Sequence, residues 1–178
     1  SVASRGLGDV YKRQGYQAIM IRDDDNSLSL NDRYKSARKY GADIFISIHA
    51  DGFRLASVKG ASVFVWSEKS SSSVARNLSE KERKRIQAQI KNIESYDFDE
   101  DAARELYPNA YKEKIDRSKL LGVKILDQFK SDPFTKIHKK NVEFADFRVL
   151  KSVDIPSVLI ESGFLTNPED CLLYTSPS

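Results

Sequence analysis

The sequence predicts an α/β domain, and three observations carry that reading. Short apolar runs of strand length recur along the chain, with DIFISIH at 43–49 and SVLIE at 157–161 the clearest. Between them lie longer segments whose apolar residues repeat at helical spacing. Strands and helices therefore alternate, the pattern of a sheet covered by helices. The chain has 178 residues, the size of one ordinary domain, and is 40% hydrophobic and 31% charged. Such a chain buries roughly 70% of its unfolded surface and needs no covalent staples.

In chain order, YQAIMIR at 16–22 reads as a first strand, followed by a polar loop from Asp23 to Ser27. Ser29 and Asp32 then form an S-x-x-D capping box, in which the hydroxyl takes the N3 amide and the carboxylate reaches back. The helix that follows carries Leu30, Tyr34 and Ala37 on one face and stops at Gly41. The run at 43–49 is apolar almost throughout, as expected of a strand covered on both faces. A further strand, ASVFVW at 61–66, follows the turn residue Gly60.

The middle of the chain is more polar. From Ser73 to Glu94 a thin helical stripe (Val74, Leu78, Ile86, Ile90, Ile93) faces a side dominated by Arg76, Glu80, Lys81, Glu82, Arg83, Lys84 and Arg85. An acidic, aromatic link, YDFDED, occupies 96–101. A second helix is expected from Asn109 to Lys130, with Tyr111, Ile115, Leu121, Ile125 and Phe129 at near-helical spacing. Strands are expected again at 142–150 and 157–161, and a loop with an Asn-Pro turn at 163–170. Residues 1–14 and 171–178 show no matching periodicity and are expected to be non-native tails around a body of 15–170.

Composition excludes several classes. No apolar run approaches the roughly 20 residues of a membrane-spanning helix. The formal net charge of +3 is too balanced to argue for nucleic acid. The basic run RNLSEKERKRIQAQIK is interrupted by acidic residues and has no aromatic stacking platform. The single cysteine, Cys171, excludes an internal disulfide and a cysteine-built zinc knuckle.

Two side chains stand out chemically. His49 ends the strand at 43–49, at the carboxyl end where open α/β sheets place their ligands, and shares a face with Phe45 and Ser47. Glu161 closes the apolar strand SVLIE, where a carboxylate must be paired, bound to metal or open to water. One imidazole and one carboxylate at strand ends fit metal-assisted hydrolysis, in which a carboxylate moves the proton. By position alone, a histidine at a strand end is more often a hydrogen-bonded structural residue, and Glu161 fits a salt-bridged strand end as well as a catalytic one. His138, in the basic stretch KIHKK, reads as a solvated loop residue.

The stretch IRDDDNSLSLNDRYKSARKYGADIFISIHADGF, then KGASVFVWS, then VLKSVDIPSVLIESGFLTNPED, resembles the zinc-dependent N-acetylmuramoyl-L-alanine amidases of family 3, the bacterial cell-wall amidases. The resemblance covers nearly all of 15–170. It implies a twisted mixed β-sheet flanked by helices, and hydrolysis of the amide between N-acetylmuramic acid and L-alanine in peptidoglycan. It further implies a zinc cofactor with His49 as a ligand, Glu161 as the catalytic carboxylate, and a periplasmic or envelope location during cell division. The family's other two ligands, a histidine and a glutamate, belong before residue 15, and SVASRGLGDVYKRQ contains neither. On this reading the chain is a truncated copy without its first strand and first zinc motif, inactive as it stands. The alternative is a non-catalytic relative that binds cell wall or an activator. Residues from about 73 to 130 match the place of a helical insert on which an activator protein acts in Gram-negative members, with Glu80 or Glu82 as its candidate cap on the zinc.

Overall fold

The computed structural model describes residues 15–22, 27–90, 104–152 and 154–175. It divides into two compact units, 1–42 and 43–178. The acidic link at 96–101 and the segment 1–14 lie outside the described residues.

In the first unit, residues 16–22 form no strand. Tyr16, Ile19 and Met20 are exposed, so the apolar character that predicted a strand is not buried by one. A strand exists only by pairing, which residue pattern alone does not secure. Helix α1 spans Leu30–Lys39. Ser29 caps it, its hydroxyl accepting the Asp32 N–H at 3.1 Å. The box is closed differently from expectation: the hydroxyl donates to the Asp32 carboxylate at 2.7 Å. Tyr34 and Ala37 are buried. At the far end the Gly41 N–H bonds Arg38 O and the Ala42 N–H bonds Ala37 O, the paired closure of a Schellman motif.

The second unit holds a four-stranded mixed sheet in the order β1-β4-β2-β3. Its strands are β1 (Phe45–Asp51), β2 (Ser62–Trp66), β3 (Glu143–Ala145) and β4 (Ser157–Phe164). β1 and β4 are parallel, β4 and β2 antiparallel, β2 and β3 parallel. β1 and β4 run longer at their carboxyl ends than the apolar runs predicted. The stretch 142–150 is not one strand: pairing ends at Ala145, and Arg148–Leu150 forms a 3-10 turn.

Helix α2 spans Ser73–Ile90 and helix α3 spans Pro108–Ser131. α3 covers one sheet face, with Leu126 buried among Val63, Val65 and Val158 and flanked by Leu121, Ile125 and Phe129. Its most buried row is Lys114, Ser118, Gly122 and Leu126, which the apolar stripe did not reveal. Each polar member has work there. Lys114 donates to Leu150 O, and Ser118 accepts the Ser157 N–H that opens β4. Gly122 gives the close approach, since a Cβ there would stand 3.3 Å from Val142 and 3.4 Å from Val65.

α2 packs against β3 and the 3-10 turn, and its Ala75, Leu78 and Ser79 are buried. Glu82, expected on the charged outer face, is buried. Its two oxygens accept the Arg148 and Val149 N–H groups, the open donors of the 3-10 turn. β1 also departs from expectation. Phe45 and Ser47 are buried, whereas Ile44, Ile46 and Ile48 are exposed, so the strand is covered on one face only. β1 closes one end of the strand order, while α3 packs on β2 and β4. The expected 163–170 loop is shorter than predicted. After a turn, Asn167 accepts the Glu169 and Asp170 N–H groups and starts helix α4, Pro168–Thr175. α4 thus continues through part of the stretch expected to be a tail.

Candidate metal centre

The site is built where the parallel pair β1 and β4 ends. His49 and Glu161 are register partners, and Ser62 on β2 is the register partner of Glu161. Residues directly opposite one another share a sheet face, so the three form a row across the sheet. Beyond His49 the register slips: His49 pairs Glu161, but Asp51 pairs Phe164. The irregularity turns the Asp51 N–H onto the Glu161 carboxylate, with Oε1 accepting at 2.6 Å. It is stitched on both sides. Ser162 Oγ donates to His49 O at 2.7 Å, and the Leu165 N–H donates to Asp51 O at 3.0 Å. Gly163 sits inside it at φ +154°, where a Cβ would meet the Asp170 carboxylate at 3.1 Å. Asp170 in turn accepts the Gly60 and Phe164 N–H groups, anchoring the loop that leads into β2.

His49, Asp51 and Glu161 each offer a donor atom within 4.8 Å of the others. The His49 ring is held at both nitrogens, with Nδ1 3.5 Å from Asp51 Oδ2 and Nε2 3.1 Å from Ser47 Oγ. Glu161 is only 1% exposed, and its Oε2 and the Ser62 hydroxyl are buried with no hydrogen-bond partner among the described residues. A buried polar atom left without a partner costs about 1–3 kcal/mol, so such a pair marks a place prepared for something else. The donor chemistry, one imidazole and two carboxylates, fits a divalent ion such as zinc.

Helix α2 supplies the counter-charge. Arg85 Nη2 lies 2.5 Å from Asp51 Oδ1, and Lys81 Nζ lies 3.6 Å from the same oxygen. Lys81 also donates to Gly52 O at 2.9 Å. Burial works to raise the Asp51 pKa, but hydrogen bonds from His49 and Arg85 and the charges of Arg85 and Lys81 outweigh it. Asp51 is therefore held well below the usual carboxylate range. Glu161 moves the opposite way. Burial pushes its pKa up to about 7, helped by the Asp51 charge and opposed by the Asp51 N–H, His49 and Lys81. A carboxyl titrating near neutrality can take up and release a proton under ordinary conditions.

The structure thus brings the two sequence-predicted residues, His49 and Glu161, side by side. It separates the two glutamates of α2, for Glu80 is exposed while Glu82 is buried and engaged by the 3-10 turn. His138, expected in solvent, is half-buried edge-on to Phe164, with burial lowering its pKa. Sequence reasoning missed Asp51, although it stands two residues after His49, where strand alternation places it on the same face. It also missed Ser62, Lys81 and Arg85, for which only the register and the docking of α2 provide a signal.

A family model described as N-acetylmuramoyl-L-alanine amidase matches residues 3–178. The chain is 39% identical over 168 residues to the N-acetylmuramoyl-L-alanine amidase AmiA of Escherichia coli, covering 94% of this chain and 57% of that protein. It is 32% identical over 164 residues to AmiC of Neisseria meningitidis, covering 92% of this chain and 38% of that one. The chain therefore spans little more than half the length of AmiA. Among solved structures, AmiC2 of Nostoc punctiforme has the same fold, with a TM-score of 0.56 at 19% identity, covering 96% of this chain and 67% of that one. Ami1 of Mycobacterium abscessus aligns with a TM-score of 0.54 at 20% identity, covering 95% and 63%. The motifs around His49 and Glu161, the mixed sheet that makes them neighbours and the match across 3–178 converge: the chain belongs to the N-acetylmuramoyl-L-alanine amidase family.

Proposed function

We propose that the protein is a peptidoglycan amidase of the cell envelope, hydrolysing the amide between N-acetylmuramic acid and the first L-alanine of the stem peptide. The observation that carries this reading is the buried Glu161, with a pKa near 7, standing beside His49 at the end of a parallel strand pair. His49 would be a zinc ligand, and Glu161 the catalytic carboxylate. When bound, zinc supplies Lewis-acid polarisation of the scissile carbonyl and lowers the pKa of water. Glu161 takes the proton from the attacking water and delivers it to the leaving L-alanine nitrogen, so one group serves as base and then as acid. The Asp51 N–H fixes Oε1 and leaves Oε2 for that transfer. Ser47 Oγ and Asp51 Oδ2 each face one ring nitrogen of His49; in a ligand role one of these contacts would orient the ring while the other nitrogen exchanged its partner for the metal.

The family's remaining histidine and glutamate ligands are expected upstream of residue 15; among the described residues, Asp51 and Glu161 are the acidic groups gathered beside His49. Residues 73–130 are read as the region through which an activator protein acts. α2 supports this by reaching the site directly through Lys81 and Arg85. Periplasmic location follows from the same reading.

The test is release of stem peptide from purified peptidoglycan by the full-length protein. Glu161→Gln should lower the rate by about 10²–10⁴-fold with the protein still folded. Retained cleavage in that variant would refute the role given to Glu161. Binding to peptidoglycan with no cleavage by the wild-type protein would select the non-catalytic relative instead.

A further inference from the structure

Ser62 opens β2, and the rest of that strand, Val63, Phe64, Val65 and Trp66, is apolar and buried. Side chains alternate along a strand, and Val63, Val65 and Val158 pack with Leu126 of α3. Ser62 and Glu161 therefore lie on the other face of the sheet, directly opposite one another in the antiparallel pair. Ser62 is 0% exposed and Glu161 1%, so bulk water does not serve either side chain. The Asp51 N–H occupies Glu161 Oε1 at 2.6 Å, whereas Glu161 Oε2 and Ser62 Oγ are both without a partner among the described residues. Directly opposed residues of an antiparallel pair have Cβ atoms about 4.5–5.5 Å apart. Rotation of the serine about χ1 and of the glutamate about its soft terminal torsion spans what remains of that gap. One hydrogen bond then satisfies both buried atoms at once.

We propose that Ser62 is a positioning residue of the hydrolysis, its hydroxyl donating to Glu161 Oε2 and holding that oxygen in place while it takes up and releases the proton. This rests on the reading of Glu161 as the catalytic carboxylate and names the group that orients its working oxygen. Each carboxylate oxygen has two acceptor positions, so Oε2 takes the Ser62 O–H on one and faces the reaction on the other. A hydroxyl both donates and accepts, so it stays in contact with Oε2 in either protonation state. A backbone N–H can only donate, which suits Oε1, the oxygen that Asp51 holds throughout. The reacting proton passes from water to Oε2 and on to the leaving nitrogen, and Ser62 keeps its own proton. Being wholly buried, Ser62 does not touch the substrate and acts only through Glu161. Its own place is fixed by the residues before it. The Ala61 N–H donates to Lys136 O at 2.7 Å, and Ala61 O accepts the His138 N–H at 2.8 Å. Gly60, at φ +88°, allows that close approach, since a Cβ there would stand 2.8 Å from Lys136 O.

The experiment is a double-mutant cycle read by urea unfolding in a chelator, beside steady-state cleavage of a soluble muropeptide by the full-length protein. Ser62→Ala should lower the urea midpoint in the wild-type background and not in Glu161→Ala, where no carboxylate remains to be bonded. An equal change in the two backgrounds, or a rise in the wild-type background, shows a hydroxyl that bonds nothing on Glu161 and overturns the proposal. In turnover, Ser62→Ala should lower kcat by about 10–100-fold, the usual cost of losing an orienting partner, with KM changed by less than about twofold. A loss confined to KM overturns the positioning role. Ser62→Thr and Ser62→Val place side chains of the same shape at this site, differing only in hydroxyl against methyl. The threonine variant should exceed the valine variant in kcat by about tenfold; equal values assign the loss to packing and overturn the proposal. Titration with Zn²⁺ alone should give Ser62→Ala the wild-type affinity, and a weaker one would place the hydroxyl on the metal instead of on Glu161. The unfolding cycle involves no turnover, so a wild-type protein that fails to cleave stem peptide sinks the amidase reading while the cycle still reports whether Ser62 bonds Glu161.

Discussion

Glu161 carries the largest electrostatic strain of the site. In the unfolded chain its carboxyl has an ordinary value near 4.5, and in the folded protein about 7. Below pH 4.5 it is protonated in both states and burial costs little. As pH rises toward 7 the unfolded chain releases its proton while the folded protein retains it. Stability therefore falls with rising pH across that window, at about 1.4 kcal/mol per unit, to a total of about 3 kcal/mol. Asp51 moves in the other direction and acts only below its ordinary value of 3.8, so the two windows do not overlap. Thermal melts in a chelator between pH 4.5 and 8 should show the decline. Glu161→Gln should reduce it, leaving the smaller contribution of Glu82, whose pKa burial also raises, and should make the variant more stable than wild type at pH 8. A wild-type profile flat between pH 5 and 8 would remove the physical basis for calling Glu161 a neutral-range acid and base. The cost is accepted at a position where a fully paired glutamate would be useless for moving a proton.

At the scale of elements, the polar residues of the helices do the joining. α2 has no broad apolar face: its buried residues include Ala75, Leu78, Ser79 and Glu82. What positions it is the Glu82 carboxylate, which accepts both open N–H groups of the 3-10 turn. Glu82→Ala leaves two donors without acceptors and should cost about 2–3 kcal/mol in urea unfolding. Glu82→Gln, which keeps one acceptor oxygen, should lie between that variant and wild type. In both, the Arg148 and Val149 amides should exchange faster. If they do not, the turn holds itself and α2 is docked by something else. α3 follows the same logic: Ser118 takes the first N–H of β4, and Lys114 ties off Leu150 O.

For the whole molecule, the strand order decides where chemistry can occur. The parallel pair β1 and β4 brings two carboxyl ends together, which places His49 beside Glu161. Antiparallel β2 then delivers its first residue, Ser62, to the same end. The same order leaves β1 at the end of the described sheet with Ile44, Ile46 and Ile48 exposed, Ile48 at 66%. An apolar sheet face left open to water invites association between molecules. Ile48→Lys should reduce light scattering of concentrated protein while changing stability by no more than about 0.5 kcal/mol. A large loss of stability would show instead that Ile48 is packed in solution.

The sequence by itself determined the α/β class, the capped helix at 30–39, the apolar strands around 43–49, 61–66 and 157–161, and the two residues, His49 and Glu161, to which the proposed function gives the chemistry. Those features are written locally, in alternation, caps and the ends of apolar runs. Tertiary structure decided the rest. Residues 16–22 carry a strand-like pattern without a strand, and 142–150 divides into a strand and a 3-10 turn, because pairing partners and free N–H groups lie far away in the chain. Asp51, Ser62, Lys81 and Arg85 join the site for the same reason. A register slip, an antiparallel neighbour and a docked helix bring them there, and each is a relation between segments about 30 to 110 residues apart that no local pattern can encode.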